Sequence, residues 1–342
     1  MFEVITTEDK EKWNEVVCSM KHYDFYHLAE YHLLDATGTP LLLHYRNQSG
    51  GALALPILLR TIEGTPYHDI GSVYGYVGPL TNLTNPDVSS YRAFQQELRH
   101  FFDTCSIVSA FARMHPLFSG QEKIMGEMGE VIDVNMTACI DLKLPEDEQK
   151  RQYAHSLKNR INRLKRKNLT VRITKSRADI DAFIAVYREN MERVHASEMY
   201  FFSNEYFYQF IETIPSALLL AFYEDEIIGG SLFTECNGIV QTHLSASRNK
   251  YLYLSPMKYI WDYIRIITQK KQMDYLHLGG GVGGQNDSLF AFKSQFSKQY
   301  LVYKTWRYIH KQAIYNELLH EKFGGDTPQL SYFPLYRAQQ SC

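Results

Sequence analysis

Between residues 273 and 296 the chain reads MDYLHLGGGVGGQNDSLFAFKSQF: an apolar strand, a glycine-dense turn, and an amphipathic helix with a lysine inside its apolar stripe. Leu289, Phe292 and Phe296 follow helical three- and four-residue spacing, and Lys293 lies four after Leu289 and three before Phe296. An ammonium there either snorkels to water or meets an anion in a cleft. Placed just after glycines that let backbone approach a ligand, it suits stabilisation of a phosphate or of developing oxyanion charge. A snorkelling surface lysine is the competing account, and the other segments must decide between the two.

A second group of reactive side chains lies at 107–115, where strand alternation puts Phe111, Arg113 and His115 on one side, immediately before Pro116. Arg113 and His115 are then neighbours able to clamp an anion and shuttle a proton, although a lone histidine is more often structural. Upstream, YGYVGP at 74–79 has the glycines and proline of a tight turn that presents Tyr74 and Tyr76; an ordinary aromatic turn is the plain alternative. In IVQTHLSAS at 239–247, Gln241, His243 and Ser245 form a polar row opposite Val240, Thr242, Leu244 and Ala246. Such a row lines a cleft or marks a half-exposed strand. The following loop offers Arg248 and Lys250 and leads into a helix opened by Ser255 and Pro256, whose free amides suit an anion.

Two runs of elements in the same order position these residues. Strands at 2–5, 41–45, 52–59 and 107–114 accompany helices at 7–20, 26–35 and 86–104, with Thr7 as N-cap of the first helix. The second run has strands at 170–173, 217–223, 227–234, 239–247 and 275–278, and helices at 178–193, 204–214 and 256–271. Asn237-Gly238 is a strong hairpin signal between two of these strands. The helix at 256–271 gathers Met257, Ile260, Trp261, Ile264 and Ile267 on one face. Strand, two helices, strand meander, helix, strand thus occurs twice at an offset of about half the chain, which predicts a duplicated mixed α/β domain.

At 342 residues the chain exceeds one ordinary core, and 45% hydrophobic with 22% charged residues excludes a largely disordered protein. Twenty-five tyrosines and nineteen phenylalanines suit clefts that hold sugars, bases or extended ligands. A formal net charge of −2 argues against a surface coated in basic charge for nucleic acid. Five scattered cysteines point to neither a disulfide framework nor a zinc site, so a reducing, cytoplasmic setting is expected. The N-terminus lacks the cationic and apolar regions of a signal peptide, and no apolar run is long enough to span a bilayer.

The strongest local charge is at 147–168, DEQKRQYAHSLKNRINRLKRKN, with Lys158, Arg160, Arg163, Lys165, Arg166 and Lys167. This segment reads equally as a solvated linker helix or as an anion-facing helix for a phosphate-rich substrate.

The glycines at 279, 280, 281, 283 and 284 do not make a nucleotide fingerprint, because no Gly-Lys-Ser/Thr follows and the span to the helix is too long for a dinucleotide unit. There is no serine elbow or HExxH site. With YGYVGPL at 74–80, ARMHP at 112–116, TACIDL before the basic segment, SPMKYIWDYI at 255–264 and LHLGGGVGGQNDSLFAFKSQF at 276–296, the chain resembles the Fem-type branch of the GNAT acyltransferase superfamily over most of its length. The last motif is the most specific: a glycine-rich turn followed by the family's Phe-Lys pair, matched here by Phe292 and Lys293.

The resemblance implies a mixed α/β (α+β) chain of tandem GNAT-like domains, each a mixed sheet flanked by helices. The acceptor-side domain would take 1–147 plus 312–342, and the donor-side domain 148–311. The implied reaction is N-acyl or aminoacyl transfer to a primary amine of an activated bacterial cell-envelope (peptidoglycan) or polysaccharide precursor. Lys293 would offset charge on the donor or tetrahedral intermediate, and His115 would be the second catalytic residue. Tyr74, Tyr76 and Arg113 would orient a nucleotide- or lipid-linked acceptor, while Gln241, His243, Arg248 and Phe292 would line the donor channel. No tightly bound cofactor and no metal are expected. The donor is either an aminoacyl-tRNA or an acyl-CoA-type thioester, with any tRNA contact falling to 158–167. Family members have an acidic residue before the proline where this chain has His115, and many carry a long coiled-coil arm where it has only the basic segment 151–168. These departures leave the base assignment and the tRNA partner open, with a non-catalytic tandem GNAT-like ligand-binding protein as the alternative.

Overall fold

The computed structural model describes residues 1–85, 87–282, 285–324 and 332–338; Pro86, Gly283, Gly284 and Cys342 lie outside the described residues. The chain divides into two compact units, Met1–Val134 with Val302–Cys342, and Asn135–Leu301. The sequence reading sets its boundaries at 147/148 and 311/312, whereas the divisions between the units fall inside two strands.

In unit 1 the order is β1 (Phe2–Thr6), α1 (Lys10–Cys18), α2 (Ala29–Leu33), β2 (Thr39–Arg46), β3 (Ala52–Thr61), β4 (His68–Gly71), β5 (Leu80–Thr81), α3 (Val88–Thr104), β6 (Ile107–Arg113) and α4 (Gln121–Met125). β1 to β4 pair antiparallel in sequence order, β5 joins β3, and β6 pairs parallel to β4. Strand β3 is buried over most of its length, as its unbroken apolar run requires. Helix α3 covers this sheet with Tyr91, Phe94, Leu98 and Phe102, a helical stripe, and Asp87 caps it by accepting from the Ser89 amide. The helix expected at 26–35 is split: a single 3-10 turn at Phe25–His27 precedes α2, because Leu28 is extended. Asp9, not Thr7, caps α1.

The chain then passes through β7 (Glu130–Asp141) into unit 2, with α5 (Glu146–Gln152), α6 (His155–Lys165), β8 (Thr170–Thr174), α7 (Arg177–Arg193), α8 (Asn204–Thr213), β9 (Ser216–Tyr223), β10 (Glu226–Cys236), β11 (Ile239–Ser247), α9 (Pro256–Lys270), β12 (Tyr275–Gly279) and α10 (Ser288–Lys293). β8 to β11 pair antiparallel in order and β12 pairs parallel to β11. The arrangement of β1-β2-β3-β4-β6 is thereby repeated by β8-β9-β10-β11-β12, each with its parallel pair at the same place. Asn237 and Gly238 both take positive φ in the β10–β11 turn, which the twist of a two-residue hairpin demands.

The segment 147–168 is not a single solvated linker. It breaks at the extended residues Tyr153 and Ala154, and α6 buries Leu157, Ile161 and Leu164 in the same core as Ile260, Trp261 and Ile264 of α9. Strand β13 (Gln299–Ile309) returns the chain to unit 1, where it pairs with β6, and α11 (Gln312–Phe323) follows. Tyr336 in the C-terminal segment lies within hydrogen-bond distance of Ser109 (2.8 Å) and donates to buried Asp69 (2.9 Å) in the same unit. Among the described residues no helix is long and apolar enough to cross a membrane.

Candidate functional site

In unit 2, β12 ends at Gly279 with φ 76°, and Asp287 folds the turn back by accepting from the Val282 amide (2.9 Å) and the Phe290 amide (2.8 Å), the latter capping α10. A side chain at Gly281 would collide with the Gln285 carbonyl and the Asp287 carboxylate, so glycine is required there. Lys293 does not snorkel. Its ammonium turns inward and donates to the Gly280 carbonyl at 2.6 Å, its one hydrogen bond among the described residues. Burial pulls its pKa down to about 8, against the opposing pull of the Asp287 carboxylate. Two N–H donors remain for an anion at this position. Phe292 is half-buried, edge-on to Trp261 (5.3 Å) and near Phe296 (5.8 Å), so it anchors α10 to the core.

Strand β11 departs from simple alternation. Leu232 pairs with Leu244 and Phe233 with Thr242, so His243 is the extra residue of a bulge. The polar row is split by it. Ser245 accepts from the Trp261 indole of α9 (3.2 Å), whereas His243 lies 2.7 Å from the Tyr206 hydroxyl and stacks on Phe210 of α8 (4.6 Å). Burial holds His243 neutral, with its pKa pulled to about 3. Gln241 is buried 2.7 Å from His277 Nδ1, and His277 Nε2 lies 2.8 Å from the Thr137 hydroxyl. Arg248 donates to the Ile227 carbonyl (3.0 Å) and pairs with Glu189 (3.5 Å). Ser255 sits in a left-handed conformation and makes no side-chain cap.

In unit 1, His115 follows the end of β6 and is fully buried with Asp24, its Nε2 3.1 Å from the carboxylate. The Leu117 amide donates to Nδ1 (3.3 Å), which places the proton on Nε2, donating to Asp24. Burial, then the charge of His22, pull the His115 pKa to about 3, so the ring is neutral at physiological pH. It stacks on Phe118 at 3.9 Å. Arg113 is half-buried with its guanidinium 5.6 Å from the Phe111 ring. Tyr76 packs edge-on to His115 (6.2 Å), and Tyr74, more exposed, accepts at its carbonyl from the Tyr31 hydroxyl (2.7 Å). Gly75 and Gly78 both have positive φ; a Cβ at the first would meet the Tyr26 ring, and at the second the Gln121 amide at 2.6 Å. A cavity of about 260 Å³ opens beside this cluster, lined among others by Lys21, His22, Phe118, Ser119, Gln121 and Lys123.

Sequence reasoning missed Asp24, Gln121, His277 and Thr137. Only Asp24 had a local signal, as the N-cap of DFYH whose His27 returns a bond to the Asp24 amide. Gln121 is held by three backbone groups, accepting from the His115 amide (2.6 Å) and donating to the Val77 (3.1 Å) and Pro79 (2.9 Å) carbonyls.

Two units of this topology in one chain, each a mixed sheet flanked by helices, make a tandem architecture, and the fold is Fem-like. The chain is similar to the crystal structure of FemX, with a TM-score of 0.72 at 12% identity over 93% of this chain and 99% of FemX. It is also similar to L-PGS from Bacillus licheniformis (TM-score 0.58, 13% identity, 89% of this chain and 92% of that one). A conserved protein of unknown function from Bacteroides thetaiotaomicron matches with a TM-score of 0.59 at 12% identity over 90% and 99% of the two chains. No protein-family model and no curated protein sequence matches the chain. At such identities the likeness establishes the fold, and the reaction has to be argued from the site.

Proposed function

We propose that this chain transfers an acyl or aminoacyl group to a primary amine of an activated cell-envelope or polysaccharide precursor, on the cytoplasmic side. The observation that carries this reading is the inward-turned, partly desolvated ammonium of Lys293 beside a glycine turn, with donors left for an oxyanion. The names of the similar structures, FemX and L-PGS, support aminoacyl transfer by analogy of fold. The amine attacks the donor's ester or thioester carbonyl, Lys293 offsets the charge on its oxygen, and collapse expels the alcohol or thiol. Unit 2 would take the donor, aminoacyl-tRNA or an acyl thioester, and Phe292 and Gln241 would hold its channel in shape. His243 and Arg248 belong to the wall of the same unit.

Unit 1 would take the acceptor, a nucleotide- or lipid-linked precursor, with Tyr74, Tyr76 and Arg113 as its contacts and the cavity beside Gln121 as its entry. Both nitrogens of His115 are already bonded, which supports a phosphate of the precursor as the proton acceptor and His115 with Asp24 as the rigid support of the acceptor side. The test is mass spectrometry of product from an amine acceptor offered aminoacyl-tRNA or acyl-CoA, with the parent chain and Lys293→Met. Turnover by the parent that falls by about a hundred-fold or more in the folded variant is expected. An unimpaired variant overturns the assignment, and thermal stabilisation by ligands without product would mean a binding protein.

A further inference from the structure

A buried polar row leads up to the glycine turn that meets Lys293, and the mechanism above gives it no part. His277 stands in β12 between Leu276 and Leu278 of the apolar core and is 1% exposed. Its ring reaches both neighbouring strands. Nδ1 lies 2.7 Å from the Gln241 amide oxygen of β11, and Nε2 lies 2.8 Å from the Thr137 hydroxyl of β7, itself 3.2 Å from the Leu301 carbonyl of β13. Gln241 and Thr137 are buried as well. Such a row costs desolvation where leucine or valine would cost none. What a bonded row supplies is fixed geometry.

The regular sheet ends at His277. Parallel pairing of β12 with β11 runs to Gln241 and His277, and on the other edge the register with β7 shifts after the His277–Cys139 pair, leaving Leu278 as the extra residue of a bulge before Gly279 meets Ala138. The chain then enters the turn, where Gly280 accepts from Lys293 at 2.6 Å and a Cβ on Gly279 would meet the same ammonium at 3.2 Å. Glycines permit this turn but do not hold it, because they have the most backbone freedom to lose. Thr137 touches both parts: its hydroxyl meets the His277 ring, and its methyl lies 3.6 Å from where a Cβ on Gly280 would stand.

We infer, resting on the acyl-transfer reading and deepening it, that His277 is a positioning residue for Lys293: by bridging Gln241 and Thr137 it fixes the strand end, and with it the Gly280 carbonyl that aims the ammonium. It acts through Lys293 and touches neither donor nor acceptor. The two bonds of the ring are not equivalent, since Thr137 is the partner that reaches Gly280.

The test reads Lys293 directly and needs no product. Trace acetylation of the full chain with acetic anhydride across a pH series, followed by peptide mass spectrometry, gives the midpoint at which Lys293 becomes reactive, expected near about 8 in the parent. Thr137→Val removes the hydroxyl and keeps the shape, and His277→Asn keeps an amide near Nδ1 but none near Nε2. Both are expected to raise the midpoint by about one unit, because a loosened turn lets water reach the ammonium. His277→Gln, whose amide falls near Nε2, is expected to keep the parent midpoint. With donor and acceptor present, Thr137→Val and His277→Asn should lower turnover roughly ten-fold with KM little changed, as a misplaced catalytic group does. Midpoints that stay at the parent value while melting temperatures fall would make the row a structural staple and overturn the inference, as would Asn and Gln variants that behave alike; Thr137→Val decides alone if a His277 variant does not fold. A parent that makes no product but whose Lys293 midpoint still moves in these variants would overturn the acyl-transfer reading and leave the positioning of Lys293 standing.

Discussion

The two units place the same device at the same point of a repeated topology and use different chemistry there. After the strand that closes each repeat, β6 in unit 1 and β12 in unit 2, a short helix sends one polar side chain back to clamp the strand-end backbone. In unit 1 that side chain is Gln121, whose amide accepts from His115 and donates to Val77 and Pro79. In unit 2 it is Lys293, which donates to Gly280. A carboxamide both accepts and donates, so it is satisfied inside the fold. An ammonium only donates, and with one bond made it leaves charge and two donors over. The same scaffold thus gives a structural clamp in one unit and an unspent cation in the other.

The sharpest way to break this contrast is Lys293→Met. Removing the cation is expected to lower transfer by about 10²–10³-fold, the usual effect of losing one oxyanion donor, with the melting temperature little changed. In the parent, transfer should fall as pH rises through about 8, because Lys293 loses its proton there and the charged form is the active one; a flat rate between pH 7 and 9, read by product formation, would remove the charge argument. Gln121→Ala should do the opposite. It strands the buried His115 amide and the Val77 and Pro79 carbonyls and should cost about 3 kcal/mol in urea unfolding. A cost within error of zero would mean that the unit 1 clamp is dispensable.

Acid should separate the units as well. His27, His32 and His115 in unit 1 are held neutral mainly by burial, with pKa values pulled to about 4, 3 and 3, and His243 in unit 2 is held so at about 3. The unfolded chain takes up these protons below about pH 6.5 and the folded chain does not, so stability present above 6.5 is lost as pH falls toward 4. By pH 5.5 the loss should be on the order of 1 kcal/mol for each of the three unit 1 histidines. Hydrogen exchange that shows unit 2 opening first would contradict this. The smallest effect expected is Gly279→Ala, about 1 kcal/mol of left-handed backbone strain, since its Cβ meets only the flexible end of Lys293 at 3.2 Å. Gly78→Ala should cost more, because the Gln121 amide it meets at 2.6 Å is pinned on three sides; equal costs in paired thermal melts would erase the distinction.

Much of the fold was legible because its signals are local. Helical stripes such as Met257, Ile260, Trp261 and Ile264, the Asn237-Gly238 turn and the apolar run of β3 each act within a few residues. The duplication followed from their order. The polar row of β11 was misread because a bulge depends on the partner strand: β10 and not β11 decides that Ser245 reaches Trp261 while His243 reaches Phe210. Arg113 and His115 share a strand side in sequence; the partners they take, the Phe111 ring for one and buried Asp24 for the other, come from packing that the local pattern does not record.

The sequence by itself determined the two runs of elements and the presence of a lysine in the apolar stripe of the helix at 288–293, since periodicity and turn chemistry are properties of neighbouring residues. Only the tertiary structure decided where that ammonium points, and that His115 pairs with Asp24 ninety-one residues away. Both outcomes come from burial and from hydrogen bonds made across long stretches of chain, and desolvation of a polar head is a property of the packed surroundings that no local pattern records.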